Sequence, residues 1–207
     1  ELFGAAEMDT GLDGGSAQSK TDAMSVSDGR RTNMGVMLFP WIVCFTAVPI
    51  DTRIGSIASI LSAAILPLLF LKWKPTVYDY VTIPLVAVAG LMSLMGVPAR
   101  FVVPGSYLAF GIMWFSSVFC KLPLSAHYSM NQYGYEKALS NALFIATNRI
   151  LSCCWGVLYL LTPIWTYVLM GSPIASYTGL INSVLPALMG IFTVWFQKWY
   201  PAQYART

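Results

Sequence analysis

The chain has 207 residues, of which 57% are hydrophobic and only 10% are charged. Soluble domains contain about 25% charged residues, so this composition excludes an ordinary soluble globular protein. The net charge of +3 comes from twelve Lys and Arg against nine Asp and Glu, without the basic, aromatic-interleaved patch typical of nucleic-acid binding.

Residues 1–33 form a polar segment that is rich in Gly, Ser and Asp. Six of the nine acidic residues of the chain fall within the first 28 positions. Such a segment has too little apolar surface to fold alone, so we predict a flexible, acidic cytoplasmic tail. A transmembrane domain is predicted over residues 34–200, followed by a short cytoplasmic tail over residues 201–207.

Six apolar stretches, separated by charged and turn residues, follow the tail. A helix needs about 20 apolar residues to cross a bilayer core of about 30 Å. The stretches are continuously apolar rather than alternating, which favours helices over a β-barrel. We therefore predict an all-α polytopic bundle with spans at about Met34–Ile50, Ile54–Leu71, Tyr80–Val97, Phe101–Cys120, Leu143–Met170 and Ile174–Phe196.

The positions of the basic residues predict the orientation of the bundle. Only Arg53 and Arg100 lie outside if the N-terminus is inside. An excess of Lys and Arg marks the cytoplasmic side, so both termini are expected in the cytoplasm, against anionic lipid headgroups. The cytoplasmic set is Lys20, Arg30, Arg31, Lys72, Lys74, Lys121, Lys137, Lys198 and Arg206.

The longest connection between spans, residues 121–141, mixes polar groups with apolar side chains. Its predicted form is an interfacial helix or loop on the cytoplasmic leaflet. The outer connections are short turns, so recognition of a partner is expected at the inner face or inside the bundle. The candidate interaction residues of this loop are His127, Tyr128, Tyr133 and Glu136.

Small residues recur every four positions in the second and sixth spans. Such stripes allow two helix backbones to approach closely in lipid. Static packing within the bundle is the favoured interpretation, and a sliding or dimer interface is the alternative. The two stripes are Gly55, Ser59 and Ala63, and Gly179, Ser183 and Ala187.

A few polar residues within or beside the spans are candidate functional groups. Asn148 and Arg149 open the fifth span, and ionisable groups buried in a membrane usually mark a pathway or a paired site. Arg149 is expected either to reach the headgroups or, if it points inward, to pair with Asp79 at the same depth. Asn182, in the sixth span, is expected to bond across helices or to line a cavity.

Enzyme and cofactor signatures are missing from the sequence. It has no H-E-x-x-H, no G-x-S-x-G, no phosphate-binding glycine loop and no magnesium-binding aspartate cluster. The four cysteines lack metal-site spacing, and His127 is the only histidine. We therefore expect no catalysis by this chain alone, no metal and no cofactor.

Three stretches resemble a known family. They are LKWKPTVYDY at 71–80, RFVVPGSYLAFGIMWFSSVFCKLPL at 100–124 and FIATNRILSCCWGVLYLLTPIWTYVL at 144–169. They are similar to the bacterial intracellular septation protein A family and related six-span inner-membrane proteins, with Asn148, Arg149, Trp155 and Gly156 in matching places. The resemblance implies an inner-membrane protein linked to envelope synthesis or division.

Three functions remain open from the sequence. The first is a non-enzymatic bacterial inner-membrane protein that acts through other membrane proteins or as a homo-oligomer, as a division factor or complex subunit. The second is a small transporter or channel for an ion or solute, which requires its polar groups to converge on one cavity. The third is the membrane anchor of a redox complex.

Overall fold

The computed structural model describes residues 30–134 and 136–204. The chain divides into two units, residues 1–30 and 31–207, and every described helix belongs to the second. The predicted acidic tail therefore lies almost wholly outside the described residues. Residues 205–207 of the predicted short C-terminal tail also lie outside them. Within the described ranges the chain is helical apart from short connections, and no strand occurs.

Eight α-helices occur within the described residues, and six of them are long. The all-α prediction is confirmed. Five of the long helices have the length and apolarity to cross a membrane, and α1, with 17 residues, is a shorter apolar helix. The helices are α1 (Met34–Ile50), α2 (Thr52–Leu69), α3 (Val77–Leu94), α4 (Ala99–Ser116), α5 (Leu124–Ser129), α6 (Glu136–Leu139), α7 (Ala142–Met170) and α8 (Thr178–Tyr204).

The outer surface of the bundle is apolar. On α8, for example, Leu180 and Ile191 are each 69% exposed, and Val184 and Leu188 lie on the same side with more than half of their surface uncovered. A soluble protein rarely exposes so large a contiguous apolar surface, whereas lipid covers it without cost. The chain is a membrane protein in contact with the bilayer.

Side-chain caps begin four of the long helices. Asn33 accepts a hydrogen bond from the N–H of Gly35, and Asp51 accepts one from Ile54. The first N–H groups of a helix have no partner within the helix, so a capping oxygen removes an unpaired donor near the lipid. Asn141 caps α7 in the same way, and Thr76 with Asp79 forms a capping box at the start of α3.

The long helices run alternately up and down, which gives the bundle two ends. We call the end where α1, α3 and α7 begin the tail end, and the other the far end. Close contact between α4 and α7 holds the centre of the bundle, because a Cβ at Gly111 would lie 2.7 Å from the Leu160 nitrogen. At Gly156 an added Cβ would lie 2.8 Å from the Phe115 Cα. These two glycines let the helix backbones touch.

The connection between α4 and α7 enters the tail end of the bundle. Leu124 and Ala126 are fully buried, and Met130 is 3% exposed. Thr32, just before α1, donates to the His127 carbonyl at 2.8 Å and accepts from the Asn131 amide at 2.6 Å. Residues 124–130, within the predicted interfacial helix or loop, are helical and mostly buried against the long helices at the tail end, and we call them the plug.

Candidate functional site

A column of aromatic rings runs through the bundle. Trp41 lies 4.8 Å from Phe110, and Phe110 lies 4.6 Å from Tyr159, measured between ring centroids. Tyr159 stacks with Trp155 at 5.7 Å, and Trp155 lies 5.6 Å from Trp114. The column joins α1, α4 and α7. Trp114 and Trp155 form the part of the column that lies nearest the tail end of the bundle.

A cavity of about 310 Å³ adjoins this end of the column. We call it the central cavity. Helices α1, α4, α5, α7 and α8 all contribute to its wall. Its aromatic side chains are Trp114, Tyr128, Trp155 and Tyr159, and its polar ones are Ser125, Ser129, Thr193 and Gln197. The volume falls at the lower end of the range of small-molecule sites, about 300–1,000 Å³.

Trp114 is a residue of this wall whose polar group has no hydrogen-bond partner within the described part of the chain. Its side chain is 2% exposed, and its Nε1–H has no hydrogen-bond partner among the described residues. Leaving such a donor unpaired in a dry interior costs about 1–3 kcal/mol. By contrast, Trp155 in the same wall donates to Thr193 at 3.0 Å.

The serines of the wall are held by α7. Ser125 donates to the Asn148 carbonyl at 2.7 Å, and Ser129 donates to Asn148 Oδ1 at 2.9 Å. Asn148 is 2% exposed and uses its own amide to donate to the Phe144 carbonyl. Asn148 therefore positions cavity-lining residues from behind without itself lining the central cavity.

Asp79 lies at the tail end of α3 and is 2% exposed. Its Oδ2 accepts from the Thr76 backbone N–H at 2.6 Å and from the Thr76 hydroxyl at 2.7 Å. Its Oδ1 has no partner among the described residues. The Thr76 hydroxyl also lies 2.8 Å from the hydroxyl of Tyr128, so a short hydrogen-bonded chain joins this carboxyl group to a wall residue of the central cavity.

Two titratable groups of α5 are shifted by burial. Burial, reinforced by the nearby Asp79 carboxylate, raises the pKa of Tyr128 well above its ordinary value of 10.0, so this hydroxyl stays protonated. Burial lowers the pKa of His127 from 6.5, so the imidazole is neutral near pH 7. Its ring packs edge to face against Tyr78, at 5.4 Å between centroids.

Arg149 does not meet Asp79. Its side chain is exposed and donates to the Cys120 carbonyl at 3.4 Å, at the tail end of the bundle. Of the two arrangements expected for this residue, the structure has the outward one. The pairing with Asp79 is absent, because the Arg149 side chain points outward to the Cys120 carbonyl whereas Asp79 is buried.

Asn182 joins α7 to α8 near the far end. Its Oδ1 accepts from Trp165 Nε1 at 2.9 Å, and its amide donates to the Thr166 hydroxyl at 2.8 Å. It is 4% exposed and bonds across helices. Asn148 and Asn182 therefore lie towards opposite ends, and the predicted polar residues do not converge on one cavity.

The residues predicted for an interaction surface are not equally accessible. Tyr128 is buried, His127 is half-buried and Tyr133 is 48% exposed. The side chain of Glu136 lies outside the described residues. Tyr133 is thus the accessible member of the described set, with its ring 5.4 Å from that of Phe144.

The small-residue stripes serve packing to different extents. Gly55, Ser59 and Ala63 are all buried, and a Cβ at Gly55 would lie 2.3 Å from the Ala47 carbonyl carbon, so this stripe packs against α1. Of the stripe in α8, Gly179 is buried against the backbone of α1, whereas Ser183 and Ala187 are exposed.

No metal centre is formed by the part of the chain that the structure describes, because no three His, Cys, Asp or Glu side chains come together there. Comparison with protein families, curated proteins and solved structures finds no match to this chain. The resemblance to septation proteins therefore stays a prediction.

Sequence reasoning missed the aromatic column and the cavity beside it. The signal was present as aromatic residues spaced by three or four positions on three spans. Such spacing places side chains on one helix face. The residues are Trp41 and Phe45, then Tyr107, Phe110 and Trp114, and finally Trp155 and Tyr159.

Proposed function

We propose that this membrane protein binds a small neutral molecule in the central cavity and acts as its carrier or receptor. This is the transporter alternative of the sequence analysis, narrowed to an uncharged ligand. The supporting observation is a cavity of about 310 Å³ whose wall combines four aromatic side chains with the polar side chains of Ser125, Ser129, Thr193 and Gln197. A largely apolar wall with a few polar groups is typical of small-molecule sites.

An ion is a poor candidate for the ligand. The described side chains that line the cavity include no Asp, Glu, Lys, Arg or His. Moving an ion from water into such a wall costs several kcal/mol without a compensating charge. A role as a division factor or complex subunit was the first expectation from the sequence. It has less support because it does not involve the central cavity.

The bacterial inner membrane is the proposed location. The cytoplasmic excess of Lys and Arg and the resemblance to septation proteins support this location. Association with other membrane proteins or with a second copy is compatible with this proposal.

Native mass spectrometry of protein extracted from its own membrane tests the function. Gly190 lines the central cavity, and a Cβ there would meet nothing within 4 Å, so Gly190→Leu adds bulk beside the cavity without a backbone clash. Gly105 on α4 also has free space at its Cβ and does not line the central cavity. Gly105→Leu is therefore the matched control.

The wild type and Gly105→Leu should carry a molecule of one defined mass in a near one-to-one ratio, and Gly190→Leu should lose it. Equal melting temperatures for the two variants would show that the loss reflects a filled cavity rather than unfolding. Wild-type protein without a small ligand but with a stoichiometric second polypeptide would refute the proposal and favour a complex subunit.

A further inference from the structure

We infer that the ligand of the central cavity carries an amide-like group, with a C=O and an N–H on adjacent atoms, which pairs with the side-chain amide of Gln197. This inference rests on the proposed function and adds the chemical class of the ligand. Two features lead to it: the polar groups of the wall that the protein leaves without a hydrogen bond, and the direction in which Gln197 leaves α8.

Most polar side chains of the wall already have hydrogen-bond partners in the protein. The Thr193 hydroxyl, for example, accepts from Trp155 Nε1 at 3.0 Å and donates to the Met189 carbonyl at 2.8 Å. The Nε1–H of Trp114 has no partner among the described residues, but it is enclosed by the protein and does not meet the cavity. The wall residues with partners are Ser125, Tyr128, Ser129, Trp155 and Thr193.

Two polar groups of the wall remain, the Tyr159 hydroxyl and the Gln197 side-chain amide. Neither forms a hydrogen bond with another described residue, and neither is enclosed as the Trp114 N–H is, so each keeps surface that a ligand can reach. A tyrosine hydroxyl can donate or accept, and therefore selects few ligands by itself. The glutamine amide instead presents an acceptor and a donor side by side.

The geometry of α8 directs Gln197 into the central cavity. Gly190, Thr193 and Gln197 are spaced by three and four residues, which places them on one face of the helix, and all three line the cavity. Helical side chains lean towards the N-terminus of their helix. Because α8 ends at the tail end, Gln197 leans from there towards Thr193 and the interior. It also borders a smaller space of about 120 Å³ with Pro201, one turn further along α8.

An amide-like group satisfies both halves of the Gln197 side chain at once. Its C=O accepts from Gln197 Nε2, and its N–H donates to Gln197 Oε1. A ketone or an ester can only accept, so it leaves Oε1 without a donor, and a site built to hydrogen-bond discriminates against such an analogue. A charged group is disfavoured because the described lining residues include no charged side chain. The aromatic side chains of the wall would cover the apolar remainder of the ligand.

Carbostyril and coumarin form a matched pair of probes. Both are neutral, flat bicycles with the same ring carbonyl, and they differ in the neighbouring ring atom, which is N–H in carbostyril and oxygen in coumarin. Their dissociation constants would be measured by titration calorimetry on the purified full chain stripped of its native ligand, corrected for partition into protein-free micelles. The additional hydrogen bond predicts that carbostyril binds roughly 3–10-fold more tightly than coumarin.

Three variants assign this preference to one side chain. Gln197→Met keeps the length of the side chain and removes its amide, so the preference for carbostyril should disappear. Gln203→Met makes the same change at an exposed position of α8 that does not line the cavity, so the preference should remain. Tyr159→Phe removes the other open polar group of the wall, and the preference should again remain.

Equal affinities in the wild type, or a preference that survives in Gln197→Met, would overturn the inference. A preference lost in Tyr159→Phe but kept in Gln197→Met would also overturn it, because the hydroxyl would then distinguish the two probes. A native ligand that is lost in Gly190→Leu but has no adjacent C=O and N–H would overturn the inference and leave the proposed function intact. A wild type that carries no small ligand would instead refute the proposed function.

Discussion

Two spaces in the bundle are each walled by a buried tryptophan and bordered by a glycine, yet they differ in their polar groups. The first is the central cavity. The second, which we call the α3–α4 groove, measures about 210 Å³ and is lined by Trp41 and Gly105 among apolar side chains. In the groove Trp41 donates to Thr82 at 2.9 Å, and Ser106 donates to the Val102 carbonyl at 2.7 Å.

The two polar side chains that line the groove are therefore both hydrogen-bonded within the protein, and the rest of its wall is apolar. Val88 and Phe101, which line the groove, are each 52% exposed on the outer surface, so lipid chains can fill it. The wall of the central cavity instead includes the polar side chains of Ser125, Ser129, Thr193 and Gln197. The two spaces therefore differ in the polarity of their walls, and a few polar groups in a largely apolar wall are typical of a small-molecule site.

The largest effect is expected from the helix contact that supports the central cavity. Gly111→Val would force a side chain against the α7 backbone and should lower the free energy of unfolding by roughly 3 kcal/mol or more. Gly105→Val, on the same helix but facing the groove, should change it by less than about 0.5 kcal/mol. Thermal unfolding in detergent, followed by circular dichroism, compares the two. Similar melting temperatures would show that α4 and α7 are not in backbone contact.

The next effect separates two neighbours on α7. Asn148→Leu removes the acceptor of Ser129 behind the cavity wall and should cost about 1–3 kcal/mol. Arg149→Leu removes one long hydrogen bond from an exposed side chain and should cost less than about 0.5 kcal/mol. The same unfolding assay applies, and a larger loss from Arg149→Leu would mean that the arginine is paired inside the bundle.

A smaller effect compares the two tryptophans directly. Trp41→Phe and Trp114→Phe remove the same ring volume from sites that are 1% and 2% exposed. Only Trp41 loses a hydrogen bond, so its variant should be less stable by about 1 kcal/mol in protein stripped of ligand. Equal losses would indicate that an acceptor within the protein satisfies Trp114.

The smallest effect concerns pH at the plug beneath the cavity. Folding lowers the pKa of His127 from 6.5, so as the pH falls the unfolded chain binds a proton before the folded chain does. The free energy of unfolding is therefore highest above the unfolded-state pKa of 6.5 and decreases as the pH falls below it. Between about pH 7.5 and about pH 5.5, the melting temperature of the wild type should fall further than that of His127→Gln. Parallel curves would show that His127 is not buried as a neutral group.

The sequence predicted the positions of the helices well, but it did not predict which side of each helix faces the interior of the bundle. The span Met34–Ile50 coincides with α1, and the span predicted from Leu143 begins one residue inside α7. Continuous apolarity and charged boundaries determine such spans. Because these helices are apolar on all sides, hydrophobic periodicity does not show which side points inward. Of the two arrangements predicted for Arg149, the structure has the exposed one and not the pairing with Asp79. The burial of residues 124–130 was not predicted, because a short segment of mixed polarity has the same pattern on a membrane surface and inside a bundle.

The most direct test is an experimental structure of the protein purified from its own membrane without added ligand. The account predicts density for a small neutral molecule in the central cavity, in contact with its aromatic wall. It also predicts only disordered lipid or detergent in the α3–α4 groove. An empty central cavity, or an ordered ligand in the groove alone, would contradict the account.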